Sequence, residues 1–247
     1  MIINREACTG CGRCVPYCPM EAILWHKKKD KKRGEKPYSE IDREKCVECF
    51  VCFRAKVCPT DAIQEEKLEW PRILRRAFSD PLYVHGGTDV PGRGTEEMKT
   101  NDVTGRYLDG YIGVGMEFGR PGTGTYLREA EKAIKRLVKM GVSLEPLNPL
   151  TQLIENKETG ELRREVLGEK VLSAIVEFTV PIEKAQNVFR AVKEIAREID
   201  TVFSLDLICK VAPDGDIPIL KEVEKAGLIR SINGKVNVGL GRPLYKL

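Results

Sequence analysis

Eight of the nine cysteines lie between residues 8 and 58, packed into two short runs. The first is CTGCGRCVPYCP, Cys8 to Pro19; the second is CVECFVCFRAKVCP, Cys46 to Pro59. The gaps between thiols are two, two and three residues in the first run and two, two and five in the second. Thiols this dense must either cross-link or hold metal. Disulfides belong to oxidising compartments, and no apolar leader precedes Cys8, since charge begins at Arg5. Clustered C-x-x-C spacing in that setting reads as metal ligation in a reducing, cytoplasmic environment. A zinc ribbon accounts for isolated C-x-x-C pairs, but not for eight cysteines with a proline after each fourth one.

The runs belong to an internal repeat. At an offset of 38, Ile3-Asn4-Arg5-Glu6-Ala7-Cys8 lies over Ile41-Asp42-Arg43-Glu44-Lys45-Cys46. At an offset of 40, Cys18-Pro19-Met20-Glu21-Ala22-Ile23 lies over Cys58-Pro59-Thr60-Asp61-Ala62-Ile63. Each copy reads as a short strand, a cysteine loop and a short helix leaving through Cys-Pro. The polar run between them, His26 to Pro37, reads as a solvated hairpin or loop. The sharper alternative is a docking arm for an acidic partner.

On these residues the chain resembles the bacterial-type ferredoxins that carry two 4Fe–4S clusters, over about residues 1–68. The resemblance implies that Cys8, Cys11, Cys14 and Cys58 hold one cluster. Cys46, Cys49, Cys52 and Cys18 would hold the other, each motif lending its fourth ligand to the opposite cluster. Proline has no N–H and turns the chain away after that ligand. With every expected cysteine present, a three-iron cluster is not expected. The five-residue gap before Cys58 departs from the family pattern of three. A tolerated insertion explains it, because Cys58 serves the far cluster and the preceding residues need only cover distance. A functional reading places Arg54 and Lys56 as positive charge beside the cluster held partly by Cys58.

The expected fold class is α+β, in three parts: residues 1–68 as the two-cluster domain, 69–106 as a helix and long Gly-rich linker or docking loop, and 107–247 as an α/β plait. A short helix is expected from Pro71, followed by the glycine-rich loop His85 to Arg106. Ile112, Val114, Met116 and Phe118 alternate as a half-buried strand, and Leu127, Ala130, Ile134, Leu137 and Val138 form a helical stripe from Thr125 to Met140. A strand at Val142 to Glu145, another from Leu172 to Val180, a helix from Ala185 to Ile199 and a strand from Phe203 complete a βαββαβ ferredoxin-like plait. The insert Pro146 to Lys170 has no assignment. A C-terminal helix around Pro218 to Ala226 precedes a hairpin turning at Asn233-Gly234.

Other candidates read as structural. GRPGTGT, Gly119 to Thr125, is a strand-to-helix turn with Thr123 or Thr125 as N-cap; anion or cofactor contact at the helix N-terminus is the alternative. Cys209 falls on the apolar face of its strand. His26 and His85 show no visible partner, and no nucleophile triad, HExxH or paired-carboxylate motif occurs. A net charge of +4 over 247 residues gives no reason to expect nucleic acid, and no apolar run is long enough to span a bilayer.

The expected function is therefore electron transfer. Single electrons would pass through two 4Fe–4S clusters to or from a catalytic oxidoreductase subunit carrying a flavin, molybdenum or tungsten, or another redox cofactor, in a hetero-oligomer. The docking surface would be the helix-free sheet face, where Gly113 and Gly115 permit close approach by another backbone, together with the His85 to Arg106 loop. The alternatives are a self-contained redox enzyme with its substrate at the Gly-rich loops, or an iron–sulfur-linked small-molecule-sensing module.

Overall fold

The computed structural model describes residues 1–27, 36–84, 107–120 and 122–230. The expected loop at 85–106, the expected hairpin at Asn233-Gly234 and residues 28–35 of the polar run lie outside the described residues.

In the N-terminal part the two repeats interlock. Strand β1 (Ile2–Ile3) opens the first copy, and β2 (Ile23–His26) leaves it. Strand β3 (Tyr38–Ile41), helix α1 (Val51–Arg54) and β4 (Ile63–Gln64) belong to the second. The first strand pairs with the last, antiparallel, Ile3 opposite Ile63; β2 pairs with β3, Ile23 opposite Ile41. Each copy thus closes the other's open edge. The core between them is small: Met1, Phe50 and Ile63, with Ile3, Ile41 and several cysteines packed against it.

Helix α2 (Ile73–Ser79) follows as the Pro71 signal predicts. Leu74, Ala77 and Phe78 are buried in the large core of the C-terminal part, so this helix is no detached linker. Arg72, Arg75 and Arg76 reach back to residues of the cysteine domain. Ser79 Oγ accepts the Leu172 N–H at 2.8 Å, which diverts Leu172 from the strand expected to start there.

Beyond it run β5 (Tyr111–Phe118), β6 (Thr125–Tyr126), α3 (Leu127–Lys139) and β7 (Ser143–Leu144). The unassigned insert contains the hairpin β8 (Ile154–Asn156) and β9 (Glu161–Leu162), then β10 (Lys170–Val171). Strand β11 (Ala174–Pro181), helix α4 (Ala185–Glu198), strand β12 (Phe203–Cys209) and helix α5 (Ile219–Lys225) complete the described chain. The main sheet has the order β12-β5-β11-β7, every neighbouring pair antiparallel. Ile112, Val114, Met116 and Phe118 meet Ile134, Leu137, Val188, Phe189 and Ile195 in one core. Full burial of each such side chain contributes on the order of 1.5–3 kcal/mol.

Two expectations about this part are corrected. Strand β5 is not half-buried: Gly113, Gly115 and Glu117, on the face opposite the core, are buried as well. At Gly113 the close neighbour belongs to this chain, since a Cβ there would lie 2.3 Å from the Tyr107 ring. The helix after Gly119 also starts late. Thr125–Tyr126 is drawn into pairing with Lys170–Val171, so α3 begins at Leu127 with neither Thr123 nor Thr125 as its cap. Its first N–H groups are satisfied by backbone instead: Leu127 N donates to Glu169 O at 3.1 Å and Arg128 N to Leu167 O at 3.3 Å.

Candidate metal centre

The eight thiols are carried on loops whose shape comes from left-handed residues. Gly10 and Gly12 take φ of 66° and 72° in the first copy; Glu48 and Phe50, their counterparts, take 55° and 61°. Each of these residues lies between two successive cysteines of its run. All nine cysteines are free thiols.

The fourth cysteines cross over. Cys8, Cys11, Cys14 and Cys58 line one cavity, walled by Ile3, Ser39, Ala62 and Ile63. On the other side, Cys52 feels the charges of Cys49, Cys46 and Cys18, and Cys49 feels that of Cys18. Among the described residues, no three cysteine, histidine or carboxylate side chains converge closely enough to hold a single ion. A cube-shaped cluster binds four thiolates at separate corners, and the four cysteines lining the first cavity supply that number.

Donors are already aimed at the sulfurs. Ala22 N donates to Cys18 Sγ and Ala62 N to Cys58 Sγ, both at 3.2 Å. Each alanine follows a left-handed residue, Glu21 (φ 50°) or Asp61 (φ 49°), which turns the next N–H back toward the sulfur. Gly10 N and Ser39 N both reach Cys8 Sγ at 3.4 Å. At Cys58 burial pushes the thiol up, but the N–H groups of Thr60, Ala62 and Ile63 and the Thr60 hydroxyl outweigh it and leave it below the usual thiol range. Hydrogen bonds of this kind stabilise the thiolate, the form that binds iron.

The two sites differ in exposure. Cys11 is exposed, whereas Cys49 is buried. Burial, then repulsion from Glu48, pushes Cys46 up to about 11. Burial and the neighbouring thiols push Cys52 up to about 12. The second site is also ringed by arginines. Glu48, fully buried, accepts Arg72 Nη2 at 2.7 Å and contacts the Met1 ammonium. Arg54 donates to Cys49 O at 2.6 Å and to Asp80 Oδ1 at 2.7 Å. Arg54 therefore sits against the Cys49 loop, not beside the site that Cys58 completes. Lys56 lies 4.2 Å over the Phe53 ring and lines a surface groove with Cys52 and Cys58.

The remaining candidates fall elsewhere. Cys209 packs against the large core, its thiol pushed up by burial. His26 does have partners: Glu40 at 2.8 Å and the Tyr38 ring, stacked at 4.5 Å. His85 lies outside the described residues. The glycine-rich turn meets the cysteine domain, since a Cβ on Gly124 would lie 2.8 Å from Met20 Cε. Sequence reasoning missed Glu48, Arg72 and Arg75. The available signal for Glu48 was a bulky acid where the first repeat has Gly10.

Fold and site together define an iron–sulfur protein. Residues 7–62 match the family described as the 4Fe-4S dicluster domain. Over 63 residues the chain is 41% identical to an uncharacterized ferredoxin of Methanocaldococcus jannaschii, a match covering 26% of this chain and 73% of that protein. The chain belongs to the ferredoxin family through this N-terminal domain, whose chemistry is iron–sulfur electron transfer. No solved structure matches it. Among the described residues no helix is long and apolar enough to cross a membrane.

Proposed function

We propose that this protein is an electron-transfer subunit holding two 4Fe–4S clusters, which passes single electrons to or from a catalytic oxidoreductase partner in the cytoplasm. Cys8, Cys11, Cys14 and Cys58 hold one cluster; Cys46, Cys49, Cys52 and Cys18 hold the other. The clusters supply one-electron storage at potentials set by charge, hydrogen bonding and burial. The chain's own residues hold the thiolates apart, donate N–H groups to their sulfurs and keep water from the Cys49 side.

The observation that carries this reading is the placement of Cys58, from the second repeat, in the cavity lined by Cys8, Cys11 and Cys14 of the first. Residues 1–68 form the two-cluster domain on this reading, with 69–106 as the connecting segment. Residues 107–247 form a ferredoxin-like plait with appended elements, a reading supported by the strand order β12-β5-β11-β7 with α3 and α4 in one core. A carrier needs only the first part, so the larger part serves the partner.

Chemical analysis tests the cofactor: about eight irons and eight acid-labile sulfides per chain are expected. Cys209→Ala should leave both unchanged. Zinc in place of iron, or four irons at full occupancy, overturns the two-cluster reading. Purification from the native organism tests the partner. A co-eluting subunit with a flavin or molybdenum or tungsten centre is the expected result; a monomer with its own turnover would overturn it.

A further inference from the structure

We infer that Arg75 is the positioning residue through which the C-terminal part sets the reduction potential of the cluster held by Cys46, Cys49, Cys52 and Cys18. The inference rests on the two-cluster reading above and adds a control on it.

Arg75 belongs to α2 and is only 3% exposed. Its Nη1 donates to three carbonyls of the turn that leads into the ligand loop: Arg43 O at 2.8 Å, Glu44 O at 3.0 Å and Cys46 O at 2.9 Å. The other side of the guanidinium faces away. Nε donates to Glu169 Oε2 at 2.5 Å, across 94 residues of chain. Glu169 is itself fixed, because its carbonyl caps the first turn of α3 and it leads directly into β10. One buried cation therefore touches the backbone of a cluster ligand on one side and an acid of the sheet domain on the other.

The neighbouring arginines differ in this respect. Arg72 is paired with Glu48 of the cysteine loop, and Arg54 with Asp80 at the end of α2. Arg75 is the one of the three whose close carboxylate, Glu169, comes from the sheet domain.

The sign follows from electrostatics. Reduction adds one negative charge to the cluster, and a fixed cation nearby favours the added electron. Exclusion of water leaves that attraction poorly screened. Glu169 opposes it by drawing part of the guanidinium's field to itself. Removing Arg75's charge should lower the potential; removing that of Glu169 should raise it. Lysine keeps the charge but cannot reach three carbonyls and a carboxylate at once, because it lacks the planar fork.

The test uses full-length, iron-loaded protein and three variants: Arg75→Gln, Arg75→Lys and Glu169→Gln. Iron and sulfide are assayed in each, and both potentials are followed by electron paramagnetic resonance during redox titration. The expected result is one potential moving negative in Arg75→Gln, the same one moving positive in Glu169→Gln, and Arg75→Lys falling between wild type and Arg75→Gln. The other potential stays put. Variants with full iron and wild-type potentials overturn the inference. Should Arg75→Gln fail to fold, Glu169→Gln decides alone: an unmoved potential at full iron reduces the contact to a structural one and overturns the inference. Wild-type protein without clusters overturns the functional reading, and this inference with it.

Discussion

Glu48 stands in the second cysteine loop where Gly10 stands in the first, on nearly the same left-handed backbone, φ 55° against 66°. The reasons differ. A Cβ on Gly10 would lie 2.2 Å from the Pro37 carbonyl oxygen, so only glycine fits. Glu48 accepts a backbone cost of about 1–2 kcal/mol, which its buried ion pairs with the Met1 ammonium and Arg72 offset. Gly10→Ala should empty the first site alone, lowering iron from about eight to about four per chain. Glu48→Ala should leave the second loop's cations without their acid, at about 3–5 kcal/mol, read as a lowered denaturation midpoint in iron-loaded protein.

Arg54 and Lys56 should separate in their effects. Arg54 holds the Cys49 carbonyl and Asp80, whereas Lys56 rests on an aromatic ring at the groove. Arg54→Gln should destabilise the domain by about 1–3 kcal/mol, the cost of leaving a buried acid short of its donor. Lys56→Gln should stay within about 0.5 kcal/mol. Chemical denaturation of the loaded protein compares them directly. Equal effects would show that the long gap before Cys58 is shaped as a whole, not pinned by Arg54.

The contact of Tyr107 with Gly113 makes a packing prediction. Gly113→Ala should cost about 1–3 kcal/mol by pushing the ring off the sheet. Tyr107 also donates to Glu177 at 3.3 Å, so Tyr107→Ala carries its own cost. The double variant should be more stable than the sum of the two predicts, because the alanine methyl then meets no ring. Strict additivity in thermal unfolding would show that the ring yields freely.

Glu129 carries a pH dependence. Burial pushes this carboxyl up, but hydrogen bonds from Lys132 and the Asp200 N–H, with the charges of Lys132 and Arg128, outweigh burial and hold it below the usual glutamate range. A depressed folded value contributes stability that is full above the unfolded value of about 4.3. That contribution is lost as pH falls through the folded one. Glu129→Gln should therefore cost about 1–3 kcal/mol near pH 7. The gap from wild type should close as pH drops below about 4. A gap that persists unchanged at pH 3 would mean that shape, not charge, matters there.

Local signals in the sequence were legible and remote ones were not. The repeat, the helix after Pro71 and the alternation from Ile112 to Phe118 are each written in a few consecutive residues, and each corresponds to an element of the fold. Thr125 resembled an N-cap because the strand that captures it, Lys170–Val171, lies far along the chain and has no periodic signature. Gly113 resembled a landing place for a foreign chain because nothing adjacent announces the Tyr107 ring. Arg75, between Leu74 and Phe78, carries no local signal of its burial. Its burial depends on three carbonyls brought to it by the cysteine domain, and carbonyls leave no trace in a sequence.

The bond between Arg75 and Glu169 also bears on the order in which the protein is made. Cys46 to Cys58 leave the ribosome well before Glu169 does, and α2 has no core to enter until the sheet has been synthesised. Until Glu169 has been added, Arg75 lacks its acid from the sheet domain. In the finished protein Arg75 ties the Arg43, Glu44 and Cys46 carbonyls to Glu169 through one guanidinium. A chain stalled before residue 169 should therefore release clusters more readily than the finished protein.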